Sequence, residues 1–260
     1  MRVLGLKMPL IKPGDDLPAM ILKASEQVGG LKDGDIVILA SSAVATAQDR
    51  LRKLASIRPS KRAKLLARRC GLRPEFVELA LREADQVLGT SKLAVLTLKD
   101  GRLCANAGID SSNAPPGQVV LMPTKPNRTA REILQALKQH VNARLGVIIA
   151  DSHIQPLRLG TVGQAVGVAG IEPAVDCRGE LDLFGKPLRI TFRALADQLA
   201  SAAQVVMGEA AEQVPAVVVR GVSVAFTERA KTSPKIAPKR CIYMNSLKLA
   251  GLLKRGKAKQ

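Results

Sequence analysis

Two aspartates have the setting that metal-assisted chemistry requires. Asp151 directly follows the aliphatic run Val147-Ile148-Ile149-Ala150 and is itself followed by Ser152. A strand of that composition would deliver the carboxylate at its carboxyl end, where open sheets place ligands. A carboxylate beside a hydroxyl is a hard-oxygen pair. Mg²⁺ and Mn²⁺ take one or two carboxylates together with waters and substrate phosphates. An Asp in that position also commonly serves as a cap or loop hydrogen-bonder, so two readings stand. Asp110 lies in Asn106-Ala107-Gly108-Ile109-Asp110-Ser111-Ser112-Asn113, ahead of Ala114-Pro115-Pro116-Gly117. One acid, a glycine permitting close backbone approach and several small polar residues suit a ligand loop, and they suit a turn equally.

Other motifs exclude more than they select. Glycines at 160, 163, 167 and 170 form a spaced series. It lacks the Gly-Lys-Ser/Thr ending of a phosphate loop and does not fit the dinucleotide fingerprint, so close backbone packing is its expected role. Cys70, Cys104, Cys177 and Cys241 are scattered and the chain has two histidines. Neither zinc nor a disulfide framework has ligand spacing behind it, and buried reduced thiols are expected. Asp15 or Asp16 is placed to cap a helix that begins near Leu17.

Composition bounds the partners. The 260 residues are 47% hydrophobic and 24% charged, which is ample for a folded core. With no Trp, one Tyr and four Phe, that core must be aliphatic. The same scarcity argues against single-strand nucleic-acid binding by base stacking. A net charge of +18 concentrates anions of many kinds. Ten of the forty basic residues fall between Arg229 and Lys259, after the last acid, Glu228. Residues 229–260 therefore read as a basic C-terminal tail behind a catalytic domain of residues 1–228. The tail is either a solvated extension or an arm that contacts RNA or docks a partner. No apolar run reaches the ~18 residues of a membrane span and none resembles a signal peptide. A cytoplasmic protein with no membrane partner is expected.

The elements that must position these residues follow from periodicity. Buried strands are predicted over residues 36–40, 147–150 and 216–219. A hairpin is predicted with arms 93–98 and 103–106 around Lys99-Asp100-Gly101-Arg102. Helical spacing covers residues 60–69, 74–88, 129–141 and 194–207, and turn residues cluster over 111–117, 123–128 and 233–238. Strands and helices mix without regular alternation, which points to an α+β or mixed α/β fold of mixed sheets packed with helices.

Taken in order, the segments amount to a resemblance. Pro9-Leu10-Ile11 with Gly14-Asp15-Asp16-Leu17, residues 106–113, Asp151-Ser152 and the glycine series come first. Asp182-Leu183-Phe184-Gly185, Ala196-Asp197, Met207-Gly208-Glu209 and residues 215–221 follow. This ordered set is similar to the coenzyme F420-0:γ-glutamyl ligase family over residues 3–224. The resemblance implies an intertwined homodimer and a GTP-dependent ligase that adds L-glutamate to a deazaflavin coenzyme precursor through an acyl phosphate. It implies a two-metal site for Mg²⁺ or Mn²⁺, with Asp110 and Asp151 on one ion and Ser152 with the region of Glu209 serving the other. Met8, Pro9, Leu10, Ile11, Ser41, Ser42, Thr46 and Asn113 would line the nucleotide site. Met207, Gly208, Glu209 and Ala210 would close it.

This chain departs from that pattern twice. Thr46 stands where the family commonly has a lysine, with Gln48 near an expected acid, and Gln155 stands where an arginine is usual. A divergent relative would account for these changes: one that binds nucleotide or RNA without the ligase activity, or that ligates a different carboxylate substrate.

Overall fold

The computed structural model describes residues 1–249, so the last part of the basic tail, residues 250–260, lies outside the described residues. In chain order the elements begin β1 (Arg2–Leu6), α1 (Leu17–Ser25), β2 (Ile36–Ala40), α2 (Ser41–Ala47) and β3 (Leu51–Lys53). They continue α3 (Lys61–Cys70), α4 (Pro74–Glu83), β4 (Gln86–Ser91), β5 (Ala94–Lys99), β6 (Arg102–Ala105) and β7 (Gln118–Val120). The chain then runs α5 (Pro126–His140), β8 (Gly146–Ile154), β9 (Thr161–Ala169), β10 (Val175–Asp176) and β11 (Phe192–Arg193). It ends α6 (Leu195–Met207), β12 (Ala216–Arg220) and α7 (Ile242–Leu249). Two compact units result: residues 1–50 with 123–234, and residues 51–122 with 235–249.

The first unit is built on a five-stranded mixed sheet in the order β1-β12-β2-β8-β9. Only β2 and β8 run parallel, in register from Ile36↔Gly146 to Ala40↔Ala150. The aliphatic runs are fully buried central strands, as their β-branched composition requires. Alternate residues Ile36 and Ile38, Ile148 and Ala150, and Val217 and Val219 face α6. That helix answers with Leu195, Ala196, Leu199, Ala200 and Ala203, an i, i+1, i+4, i+5, i+8 stripe. Each buried Val, Leu or Ile in this layer contributes about 1.5–3 kcal/mol. Small residues on α6 let it approach β9 closely. A Cβ at Gly163 would collide with the backbone of Ala200 and lie 2.6 Å from Ser201 N, and one at Gly167 would lie 2.5 Å from Pro126 O. Close packing is thus the role of Gly163, Gly167 and Gly170, but not of Gly160, where a Cβ would meet nothing within 4 Å and the positive φ of 96° is what favours glycine.

At the foot of the sheet, Asp35 is fully buried and receives a bidentate contact from Arg220 at 2.8 and 2.7 Å. Arg220 also donates to the carbonyls of Val28 and Gly30. β9 is an edge strand whose free groups are occupied. Asp197 accepts from Ala165 N–H, Asn127 accepts from Val168 N–H, and Ser201 donates to Gly163 O. Such capping blunts an exposed edge.

The second unit contains α3 and α4 beside a three-stranded antiparallel sheet, β4-β5-β6, and the pair β3-β7. Ser60 caps α3 through Ala63 N–H, and Gly71 ends it at φ 70°. The β5–β6 hairpin turns at Asp100 and Gly101, both with positive φ, as a two-residue turn demands. Ala63, Ala67, Cys70, Val77 and Val95 form one small core there.

Three sequence expectations require correction. β8 does not stop at Ala150 but runs to Ile154, so Asp151 and Ser152 sit inside a strand, paired with Gln164 and Gly163. The reason is β9, which pairs with β8 for its whole length and supplies partners that the aliphatic pattern alone does not reveal. α4 ends at Glu83, because Asp85 N–H is claimed by Leu98 O and residues from Gln86 onward pair with β5. Among the cysteines all four are free thiols, but only Cys70 and Cys177 are buried; Cys104 and Cys241 are partly exposed. Burial pushes the Cys70 thiol above its ordinary pKa.

Candidate active site

In the first unit the oxygen donors gather where β2 and β8 part. β2 passes directly into α2, so Ser41 is the first helical residue and is 6% exposed. Its hydroxyl donates to Asp151 Oδ1 at 2.5 Å. Asp151 is the first residue beyond the parallel pairing, so it stands at the carboxyl end of the parallel pair even though its own strand continues. That is where ligands collect on such sheets.

Successive strand residues face opposite sides, so Ser152 turns toward the α6 face. There it donates to Glu209 at 2.9 and 3.1 Å. Thr161 donates to the same carboxylate at 3.0 Å, and the Gln204 amide donates to Glu209, to Ser152 and to Thr161. Glu209 is carried into this cluster by Gly208, which ends α6 at φ 71°. Its ψ of −172° places Gly208 in a backbone region that side-chain-bearing residues scarcely enter, so the turn demands glycine.

The N-terminal segment joins the same region. Met8 is 5% exposed and its N–H donates to Gln213 O, in the loop that follows Glu209. Gly14 N–H donates to Ala47 O at the end of α2. Pro9 and Leu10 are exposed and Ile11 is half-buried. Ser42 and Thr46 lie on α2, both half-buried. Gln48 is anchored rather than free: its amide donates to Thr129 and accepts from Thr124 N–H. Gln155 lines a cavity of about 370 Å³ with Gln164, Asp197 and Ser201. Burial raises the Asp197 carboxyl above its ordinary range, against the hydrogen bond from Ala165 N–H that lowers it.

Asp110 and Asn113 belong to the second unit. Asn106, Ala107 and Gly108 take φ of 53°, 56° and 72° in succession, a left-handed run that costs energy for non-glycine residues. Two contacts hold it. Asn106 accepts from Val95 N–H, and Thr97 accepts from Ala107 N–H. Asp110 then pairs with Val120 through both backbone bonds and accepts from Ser112 N–H at 2.8 Å. Its carboxylate is exposed, as are Ser111, Ser112 and Asn113.

The donors are thus carboxylates and hydroxyls, with a single amide. Among the described residues no three of His, Cys, Asp and Glu gather as a metal-binding group. Hard ions such as Mg²⁺ and Mn²⁺ need fewer carboxylates than that when waters and phosphates complete the shell, so Asp151 with Ser41, and Glu209 with Ser152 and Thr161, fit such an ion. Thr161 and Gln204 are members of the cluster that the sequence reading missed. The signal was present in α6: Asp197, Gln198, Ser201 and Gln204 form a polar stripe at helical spacing along an otherwise apolar helix.

Fold and donor set together define a mixed α/β protein whose candidate site is built from oxygen ligands at the end of a parallel strand pair. The F420-0:γ-glutamyl ligase family model matches residues 5–221, and the chain belongs to that family. Its relatives include the coenzyme F420:L-glutamate ligase of Methanopyrus kandleri, 44% identical over 81% of this chain and 82% of the relative. Those of Methanothermobacter thermautotrophicus and Archaeoglobus fulgidus are 42% and 39% identical, over 82% and 84% of this chain and 86% of each relative. Among the described residues no helix is long and apolar enough to cross a membrane.

Proposed function

We propose that this chain is a GTP-dependent ligase that adds L-glutamate to coenzyme F420-0. Family membership supports the ligase class. The observation that carries the site is the convergence of Ser152, Thr161 and Gln204 on Glu209, next along β8 to the Ser41–Asp151 pair. Asp151 on one face and Glu209 with Ser152 on the other would hold divalent cations, which neutralise phosphate charge when bound. Asp110 is assigned to the same work by the resemblance alone.

The reaction balances in two steps. A substrate carboxylate oxygen attacks the γ-phosphorus of GTP, the bond to the β-phosphate oxygen breaks, and GDP leaves an acyl phosphate behind. The amine of glutamate then attacks the acyl carbon, phosphate departs, and the nitrogen loses a proton as the amide forms. Ser41 orients Asp151, and Gln204 fixes the hydroxyls of Ser152 and Thr161 so that their oxygens are preorganised. The loop after Gly208, tied to Met8 through Gln213, covers the nucleotide.

A homodimer is part of the proposal. Leu181, Leu183, Phe184 and Ile190, around the β10–β11 pair, are exposed, as are Leu157 and Leu159 between β8 and β9. So much exposed apolar surface in one stretch of chain suits an interface. Sedimentation equilibrium should therefore return twice the chain mass. The ligase reading is tested with F420-0 carrying heavy oxygen in its carboxylate. The label must appear in the released phosphate when GTP, glutamate and Mg²⁺ or Mn²⁺ are all present. Unlabelled phosphate would remove the acyl-phosphate route.

A further inference from the structure

Positive charge is unevenly divided. The described part of the second unit carries 17 Lys and Arg against 6 Asp and Glu, whereas the first unit carries 19 against 16. Between Asp49 and Glu75 there are ten Lys or Arg and no acid. Five of these ten are on α3, and all five are exposed.

At about 100° per residue, Lys61, Arg62, Lys64, Leu65, Arg68 and Arg69 fall on one arc of about 160°. Ala63, Ala67 and Cys70 occupy the opposite side and are consumed by the core with Val77 and Val95, with Leu66 packed against them. Leu65 is the single apolar side chain on the exposed arc, at 52% exposure. Lys61, Lys64 and Arg68 lie to one side of it, and Arg62 and Arg69 to the other. None of the five cations forms an ion pair with another described residue.

This pattern discriminates among polyanions. A membrane-surface helix needs a free apolar face, and the apolar face of α3 is already buried. Single strands need aromatic platforms, and α3 has none. A helix with its side chains is about 10–12 Å across, and the major groove of B-form DNA is about 12 Å wide and bounded by phosphate on both walls. The major groove of an RNA duplex is too deep and narrow to admit it. We propose that α3 docks duplex DNA, seated in the major groove with its two cationic flanks on the two phosphate walls. Recognition is of phosphate rather than sequence, because Leu65 offers the base edges only apolar contact.

The test is fluorescence anisotropy with the full chain and a mixed-sequence DNA duplex across a salt series. Five phosphate contacts give a log–log slope of about −4.5, so binding should weaken ~500-fold between 50 and 200 mM salt. Substituting Lys61, Arg62, Lys64, Arg68 and Arg69 together with Gln should abolish that dependence. Should this variant not fold, Leu65→Glu decides, since one exposed carboxylate leaves the core intact and should weaken binding at least ~10-fold. Duplex RNA bound as tightly as duplex DNA at equal salt overturns the groove assignment. So does capture by phosphatidylserine vesicles with no duplex binding, or DNA binding that survives both variants and is lost on replacing Lys254, Lys257 and Lys259 with Gln.

Discussion

Gly163→Ala should damage the protein out of proportion to the one methyl group it adds. The atoms that methyl would meet belong to the main chain of Ala200 and Ser201, the nearer face of α6, with Ser201 N at 2.6 Å. A flexible side chain could swing aside, but helix backbone cannot. Restoring ordinary contact requires α6 and β9 to part by about 1 Å. Overpacking of this kind costs about 1–3 kcal/mol, and the Ser201 hydroxyl would lose its 2.9 Å bond to Gly163 O. The displacement reaches the site, because Gln204 follows Ser201 by one helical turn and holds Ser152 and Thr161. Misplacement by about 1 Å is worth ~100-fold in rate. Urea denaturation and glutamate-dependent GTP turnover measure the two effects separately. Gly89→Ala is the control, since a Cβ there meets nothing within 4 Å. If Gly163→Ala matches wild type in both assays, the claim that β9–α6 packing positions the cluster is wrong.

Other consequences can be measured directly. Asp35→Asn should destabilise by about 3–5 kcal/mol in chemical denaturation, because it leaves Arg220 half-satisfied beside a fully buried group. The Asp33 carboxyl is held down at about 2 by the hydrogen bonds and charge of Arg144. Its stabilising contribution is therefore present above the ordinary carboxylate range and lost as pH falls through about 2. NMR titration should show that midpoint, and Arg144→Gln should raise it without restoring the free value, because the backbone N–H of residue 144 still donates to Asp33 Oδ1 at 2.7 Å. Asp197 is shifted the other way by burial, so its charge costs stability progressively as pH rises from the ordinary carboxylate range to its raised pKa, and the cost persists above that. Asp197→Asn keeps an acceptor for Ala165 N–H and should unfold at higher urea than wild type at pH 7, with no advantage below about pH 4.

The central strands, the hairpin at Asp100-Gly101 and the close packing at Gly163, Gly167 and Gly170 were legible because each has a local cause: β-branched runs, turn chemistry or absent side chains. Asp16 likewise caps α1 through Ala19 N–H, as its position implied. Tertiary pairing was not legible. Nothing in Asp151-Ser152-His153-Ile154 reads as a strand until β9 lies beside it. Val87 and Leu88 share helical spacing with Phe76 and Ala80, yet Val87 pairs with Thr97 of β5 and Leu88 sits at the bulge between Val87 and Gly89. The insertion of residues 51–122 was equally hidden, since its first and last strands, β3 and β7, are three residues each and pair with each other, with Asp110 alone bridging to Val120 besides. Asp151 was expected just past a strand end and lies within the paired strand instead, and the donors around Glu209 come from three distant segments. Only the polar stripe on α6 announced one of them.

The most direct measurement is GDP release by wild type, Asp151→Asn and Glu209→Gln in the presence of GTP, F420-0, L-glutamate and Mg²⁺ or Mn²⁺. The account predicts turnover by wild type only when every component is present, and a loss of at least ~100-fold in each variant with unchanged circular dichroism. Wild-type turnover by Glu209→Gln would contradict it.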